Sequence, residues 1–219
     1  MSLKTTWGYT ITDADTLADL LSVADFNTLT ANKFAGDGRI SSELAAACMG
    51  LRNYCGWHVG PAQVCSFSER LLYGNGRIKR TGADFLIQLP AAYVTGVTAV
   101  TIGGEAWTDY AVETNGLLRL FDVYDHRLTR KTEIVVTYTA GIPTALMDSI
   151  KELIACRVSR ALTMTNGVAS ESAGGVSVSY TQNWSSGGGA GALQSTDVET
   201  LEPYKLREVF GYGASIVGE

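Results

Sequence analysis

Residues 133–164, EIVVTYTAGIPTALMDSIKELIACRVSRALTM, restrict the fold more than any other stretch of this 219-residue chain. A β-branched run (Ile134, Val135, Val136, Thr137, Tyr138) alternates as a strand does, and Ala140-Gly141 breaks it. Pro143 then stands where a helix can begin without losing a hydrogen bond. Beyond it, Met147, Ile150, Ile154, Val158 and Ala161 recur at three- and four-residue spacing, and Leu146 and Leu153 widen the stripe. Asp148, Glu152, Ser159 and Thr163 fall opposite. A helix apolar over more than half its circumference must be gripped from several sides, so this segment is expected to be the core helix.

The rest of the chain is long enough to bury such a helix, as one large domain or two small ones. With 46% hydrophobic and 18% charged residues its composition is that of an ordinary globular protein. A formal charge of −5 argues against a dedicated nucleic-acid binder, because affinity for phosphate rests on clustered cations. No apolar run approaches the roughly 20 residues of a membrane span, and MSLKTTWGYTITDAD lacks the apolar centre of an export signal. Cys48, Cys55, Cys65 and Cys156 are spaced too irregularly for a zinc site; Cys48 and Cys156 read as buried free thiols in a reducing compartment. No metal, cofactor or membrane is therefore expected.

Upstream, residues 1–11 carry Trp7 and Tyr9 without periodicity and read as an arm. Thr12 with Asp15, and Ser22 with Asp25, each fit an N-terminal cap, which predicts two short helices carrying Leu17, Leu20, Leu21 and then Phe26, Leu29. After the loop Gly36-Asp37-Gly38, a further helix should bury Ile40, Leu44, Ala47, Cys48, Leu51 and Tyr54 and stop at Gly56. From Pro61 the texture turns to short β-like runs: Val64–Phe67, Phe85–Leu89, Val97–Ile102, Ala106–Val112, Leu117–Phe121 and Glu133–Tyr138. Gly103-Gly104 and Asn115-Gly116 lie between such runs as hairpin turns. Residues 166–195 are rich in Gly, Ser and Ala around VSVSYTQNW, which predicts a long extended or hairpin-like loop. Thr196 with Glu199 caps a last short helix, which Pro203 kinks or ends, and an apolar tail follows from Tyr204. The expected fold is α+β: a helical core from 1–60 and 139–219, with an inserted small antiparallel β barrel or sandwich at 61–138.

Reactive constellations are sparse. Cys55 and His58, three residues apart at a helix end, allow a thiol–imidazole reading, but no third orienting group is evident, and a helix-ending Gly56 followed by a packing Trp57 is the preferred account of the stretch. Asp122, Asp125 and His126 could ligate a metal or could form a charged β-turn. Arg77, Lys79 and Arg80, and again Arg127, Arg130 and Lys131, make two basic knots that fit an acidic partner, phosphate, or a charged strand edge. Gly74-Asn75-Gly76 lacks the order of a phosphate-binding loop. No catalytic residue is assigned.

Several segments, taken in order, resemble phage head-to-tail connector (adaptor) proteins: ITDADTLADLLSVADFNTLTANKFAGDGRI, a helix ending LRNYCGWHVGP, LPAAYVTGVTAVTIGGEAWTDY with NGLLRL, VVTYTAGIPTALMDSIKELIACRVSRAL, SESAGGVSVSY and LEPYKLREV. The last three follow that family's pattern of strand, Gly-x-Pro, helix, serine-rich loop and a short helix ending near Pro-Tyr-Lys. The resemblance implies a structural virion protein, not an enzyme, made in the bacterial cytoplasm. It would form a ring, typically of twelve copies, between the portal vertex and the next neck or tail protein. DNA would pass through an axial channel without sequence-specific binding. Small members of the family are nearly all helical, so Pro61–Tyr138 is a departure from the pattern.

A ring needs two different complementary faces on one subunit. The loop residues Val176, Val178, Tyr180 and Trp184 are expected to lie strand-like on a neighbouring copy. Tyr204, Leu206, Val209 and Phe210 are expected to dock on the portal. The competing readings are a tail terminator or β-rich accessory of the virion, a thiol hydrolase using Cys55 and His58, and a nucleic-acid module acting through Arg77–Arg80.

Overall fold

The β-branched runs fold into two open antiparallel sheets. The structure, a computed structural model, describes residues 2–12, 14, 16–71, 76–113, 116–123, 129, 131–163, 170–173, 176–179, 193 and 195–207, with backbone only for 170–173 and 176–179. Its contacts divide the chain into two units: Met1–Ala18, Cys55–Thr144 and Tyr204–Glu219 form one, Asp19–Tyr54 and Ala145–Pro203 the other.

The first unit holds strands β1 (Leu3–Lys4), β2 (Thr10–Ile11), β3 (Gln63–Arg70), β4 (Ile78–Thr81), β5 (Asp84–Gln88), β6 (Val94–Ile102), β7 (Glu105–Ala106), β8 (Tyr110–Val112), β9 (Leu117–Leu120) and β10 (Glu133–Ala140). One sheet has the order β1-β2-β3-β10-β6-β7 and the other β4-β5-β9-β8. Neither closes, so the barrel expectation is corrected: β1 and β7 remain edges of the first sheet, and β4 and β8 of the second. Strand β10 sits between β3 and β6 and shows why it is central. Its side chains alternate strictly, with Ile134, Val136, Tyr138 and Ala140 all 0% exposed, each large one contributing about 1.5–3 kcal/mol by leaving water. Phe85, Ile87, Leu118 and Leu120 form the corresponding buried face of the second sheet.

Three expectations change here. Residues 1–11 are not a free arm: β2 pairs with β3 through Ile11↔Cys65, and Tyr9 and Ile11 are buried. Residues 106–112 are not one strand. The chain leaves the first sheet after Ala106, turns where Trp107 Nε1–H donates to the Asp109 carbonyl at 2.8 Å, and enters the second sheet at Tyr110. Such a switch is how one chain builds two sheets. The β unit is also not a simple 61–138 insertion, because its boundaries fall at Cys55 and Thr144 and it recruits both the N-terminal segment and the chain from Tyr204.

Gly141 ends β10 for a steric reason. At φ +137° a Cβ there would lie 2.5 Å from Ala62 Cα and 2.6 Å from the Pro61 carbonyl oxygen, so only glycine permits this approach. Its N–H donates to the Tyr93 carbonyl at 2.9 Å, and Ile142 N–H to Val59 at 2.8 Å.

The second unit contains α1 (Val23–Leu29), α2 (Ile40–Cys55, its last residue counted with the β unit), α3 (Asp148–Thr163), the hairpin β11 (Ser170–Ala173) and β12 (Val176–Ser179), and α4 (Ser195–Leu201). Ser22 caps α1 as its sequence predicts, accepting from Asp25 N–H at 3.0 Å. The helix expected after Thr12 does not form among the described residues, although Leu20 and Leu21 are buried. Helix α2 buries Ile40, Leu44, Ala47, Cys48 and Leu51 and ends at Gly56 with φ +76°. Helix α4 tightens at Glu202–Tyr204 into a 3-10 turn that contains Pro203.

Helix α3 follows a 3-10 turn at Thr144–Leu146 and buries Ile150, Ile154, Ala155, Arg157, Val158 and Leu162. Met147 just before it is buried too, while Leu146 is 58% exposed and Ala161 and Leu153 are half-buried. Cys156 is exposed, which corrects its reading as a core thiol.

Candidate functional site

The sequence offers Cys55 and His58 as a reactive pair, and the structure assigns His58 other work. The imidazole is 0% exposed. Its Nε2 lies 2.9 Å from the Ala140 carbonyl, which can only accept, so Nε2 carries the proton. Nδ1 is then the acceptor for the Tyr9 hydroxyl at 2.7 Å, and that hydroxyl accepts the His58 backbone N–H at 3.0 Å. Trp57 stands edge-on against the ring at 5.4 Å. Both nitrogens thus tie the N-terminal segment to the end of β10.

Nearby Cys65 is buried, and burial pushes its thiol up to about 12. Such a thiol is inert at neutral pH. Burial likewise raises the Tyr138 phenol well above its ordinary value.

The metal reading rests on residues outside the described set, since Asp125 and His126 lie there; Asp122 is exposed, and its N–H donates to Asp84 Oδ1 at 3.3 Å. Among the described residues no cluster of His, Cys, Asp or Glu could hold a metal ion, and no helix is long and apolar enough to cross a membrane. Of the basic knots, Lys79 and Arg80 are exposed on β4, an edge strand, where charge discourages pairing with a foreign strand. Arg77 is half-buried and Lys131 is exposed in a turn, whereas Arg127 and Arg130 fall outside the described residues.

Tyr204 and Leu206 are held by the chain's own β unit. Trp57 Nε1–H donates to the Tyr204 carbonyl at 2.7 Å, Leu206 N–H donates to the Cys55 carbonyl at 2.8 Å, and the Gln88 side-chain amide donates to Arg207. Both side chains are half-buried. Val209 and Phe210, the other expected contacts, lie outside the described residues. Val176 and Val178 belong to β12, which pairs with β11 in register Ala173↔Val176 to Ser170↔Ser179; Tyr180 and Trp184 lie outside the described residues. The hairpin is a two-stranded sheet of its own, with no further strand paired to it among the described residues.

Two features of the helical unit escape the pattern reading. The first is an ion pair between Arg157 and Asp197, 2.7 Å long with side chains 5% and 7% exposed. It clamps α4 onto α3. Burial lowers the guanidinium's affinity for its proton, and Asp197 opposes that shift. The only signal in the sequence is a cation beside Val158 within the apolar arc.

The second feature is an open groove of about 410 Å³ lined by Thr30, Lys33, Phe34, Cys156, Ser159, Arg160 and Thr163. The turn after α1 forms one wall and the outward face of α3 the other. Lys33 lies over the Phe34 ring, 5.3 Å from its centre. The lining mixes an aromatic face with two cations and no carboxylate, and so suits an apolar group flanked by acids.

No family model matches this chain, and no curated protein matches it.

Proposed function

We propose that this chain is a structural subunit of a tailed-phage virion, a ring adaptor between the portal vertex and the neck or tail, with an axial opening for DNA. The observation that carries the proposal is the order of elements in its second half. Strand β10 is followed by Gly141-Ile142-Pro143, the long helix α3, a serine-rich hairpin, and the short helix α4 closing on Pro203-Tyr204-Lys205. That is the order in which the connector-like segments stand in the sequence. The sparse chemistry fits the same reading: His58 is spent on structure, and Cys65 is a buried neutral thiol.

In this role the β11–β12 hairpin extends a neighbour's surface through backbone edges that no other described strand pairs. The chain beyond Arg207, including Val209 and Phe210, reaches the portal, while Tyr204–Arg207 anchor it to the subunit. The acidic balance of −5 suits a conduit through which DNA must slide, since a basic lining would hold it by counterion release. The β unit departs from small all-helical connectors and broadens the contact with the neck.

The test is to add the purified chain to capsids packaged without tails and to image the vertices. A ring at one vertex per head is expected, and bare vertices at saturating protein would overturn the proposal. Truncation after Arg207 should leave a folded subunit that no longer binds portal, and undiminished co-sedimentation with portal would refute that assignment.

A further inference from the structure

The exposed face of α3 is bipolar. Asp148 and Glu152 stand at its N-terminal end, and Cys156, Ser159, Arg160 and Thr163 follow on the same face at three- and four-residue steps. From Asp148 to Arg160 the distance is about 18 Å at ~1.5 Å per residue. Acids near the start and a cation near the end also suit the helix dipole. Two further observations go beyond the dipole. Lys33, from a different element, adds a second cation at the basic end, where the Phe34 groove opens. Leu146, at 58% the most exposed large apolar side chain among the described residues, projects just ahead of the acids.

We infer that the helical unit binds a second copy of itself head to tail, with Leu146 of one copy seated in the groove of the next against Phe34 and Cys156. Asp148 and Glu152 then face Lys33 and Arg160 of that neighbour. The groove supplies an apolar floor with cations, and the Leu146 end supplies an apolar knob with acids, so the two patches are complementary in shape and sign. Head-to-tail docking uses one patch of each copy per contact, so it is heterologous and leaves each copy one of each for the next; an antiparallel pair that engages both patches at once is isologous, and a disulfide-linked dimer with no higher rungs would overturn the series. Closure of that series into a ring rests on the adaptor reading; the pairwise dock does not.

The test uses the full chain and its own groove thiol. Leu146→Cys is oxidised at high protein concentration with Cys156 left in place, and parent chain, Leu146→Cys/Cys156→Ser and Val112→Cys serve as controls. A ladder of disulfide-linked oligomers is expected from Leu146→Cys alone. Adding Lys33→Glu/Arg160→Glu should lower the yield at least tenfold, and adding Asp148→Lys/Glu152→Lys to that same chain should restore it. Circular dichroism establishes that each variant is folded. No ladder, or a ladder indifferent to the charge reversals, overturns the dock. A ring on tail-less heads without the ladder would remove this contact and keep the adaptor reading. A charge-dependent ladder from a chain that ignores heads would keep the contact and remove the adaptor.

Discussion

Removing one partner of the Arg157–Asp197 pair should loosen α4 far more than removing both. At 2.7 Å and an effective dielectric near 20, the attraction between the two charges is about 6 kcal/mol. Stripping water from two ions costs several kcal/mol each, so the pair as a whole contributes close to nothing net. A single deletion is different, because the surviving charge stays buried without its counter-ion. Arg157→Met or Asp197→Leu should each cost about 3–5 kcal/mol. The double variant, with apolar groups in both places, should fall within about 1–2 kcal/mol of the parent. Hydrogen exchange across Ser195–Leu201 reads this locally, which suits a chain of two units that need not melt together. With a tenfold change for every ~1.4 kcal/mol, either single variant should exchange there at least about 100-fold faster. The double should stay within roughly 30-fold of the parent. Single variants that shift exchange by less than about threefold, or a double worse than either single, would refute the assignment of a buried, mutually dependent pair.

Gly141→Ala should destabilise the β unit by about 3 kcal/mol or more, because its Cβ would meet backbone at Ala62 and Pro61, whereas Gly104→Ala, with φ +90° and open space, should cost about 1 kcal/mol; thermal melts of the two variants compare them. Tyr9→Phe strips the acceptor from the His58 N–H and the donor from Nδ1, both buried, and should lower stability by about 2–4 kcal/mol in denaturant titration. Among the cysteines only Cys156 is exposed, so mass-spectrometric labelling at neutral pH should find one fast thiol per native chain; rapid labelling of Cys55 would contradict the buried assignment. Cys65 has its thiol raised from an ordinary 9.0 to about 12, so the unfolded chain releases that proton first, and stability present below pH 9 should fall as pH rises towards 12. A pH series of unfolding midpoints, with Cys65→Ala as the control, checks the sign.

How far the chain could be read on its own differs by element, and the reason is the range of the deciding contacts. Helices α2 and α3 and strands β3, β5, β6, β9 and β10 carry local periodicity, and Gly56, Gly103 and Gly116 punctuate it through positive φ. The β1–β2 pair escapes such reading, because two-residue strands have no period and exist only through distant partners such as Cys65. Strand β4 hides behind its charges, since an edge strand can expose Lys79 and Arg80 without penalty. Cys156 and Arg157 are neighbours on α3 with opposite fates, one exposed and one buried, and apolarity predicts the reverse. The place of Arg157 depends on Asp197, forty residues on.

Spacing along the chain therefore dictated a long amphipathic helix, a run of antiparallel hairpins, and α+β composition, because each depends on residues within a turn or two of one another; that α3 buries one side and leaves the other exposed, instead of being gripped on most sides, came from the fold. Folding in three dimensions alone decided that the strands form two open sheets instead of a barrel, that the N-terminal segment joins them, and that Tyr204–Arg207 are held at home. It also brought Lys33 beside Arg160. Those outcomes turn on pairings between distant residues, where backbone hydrogen bonds and buried charges must find partners that local periodicity does not encode.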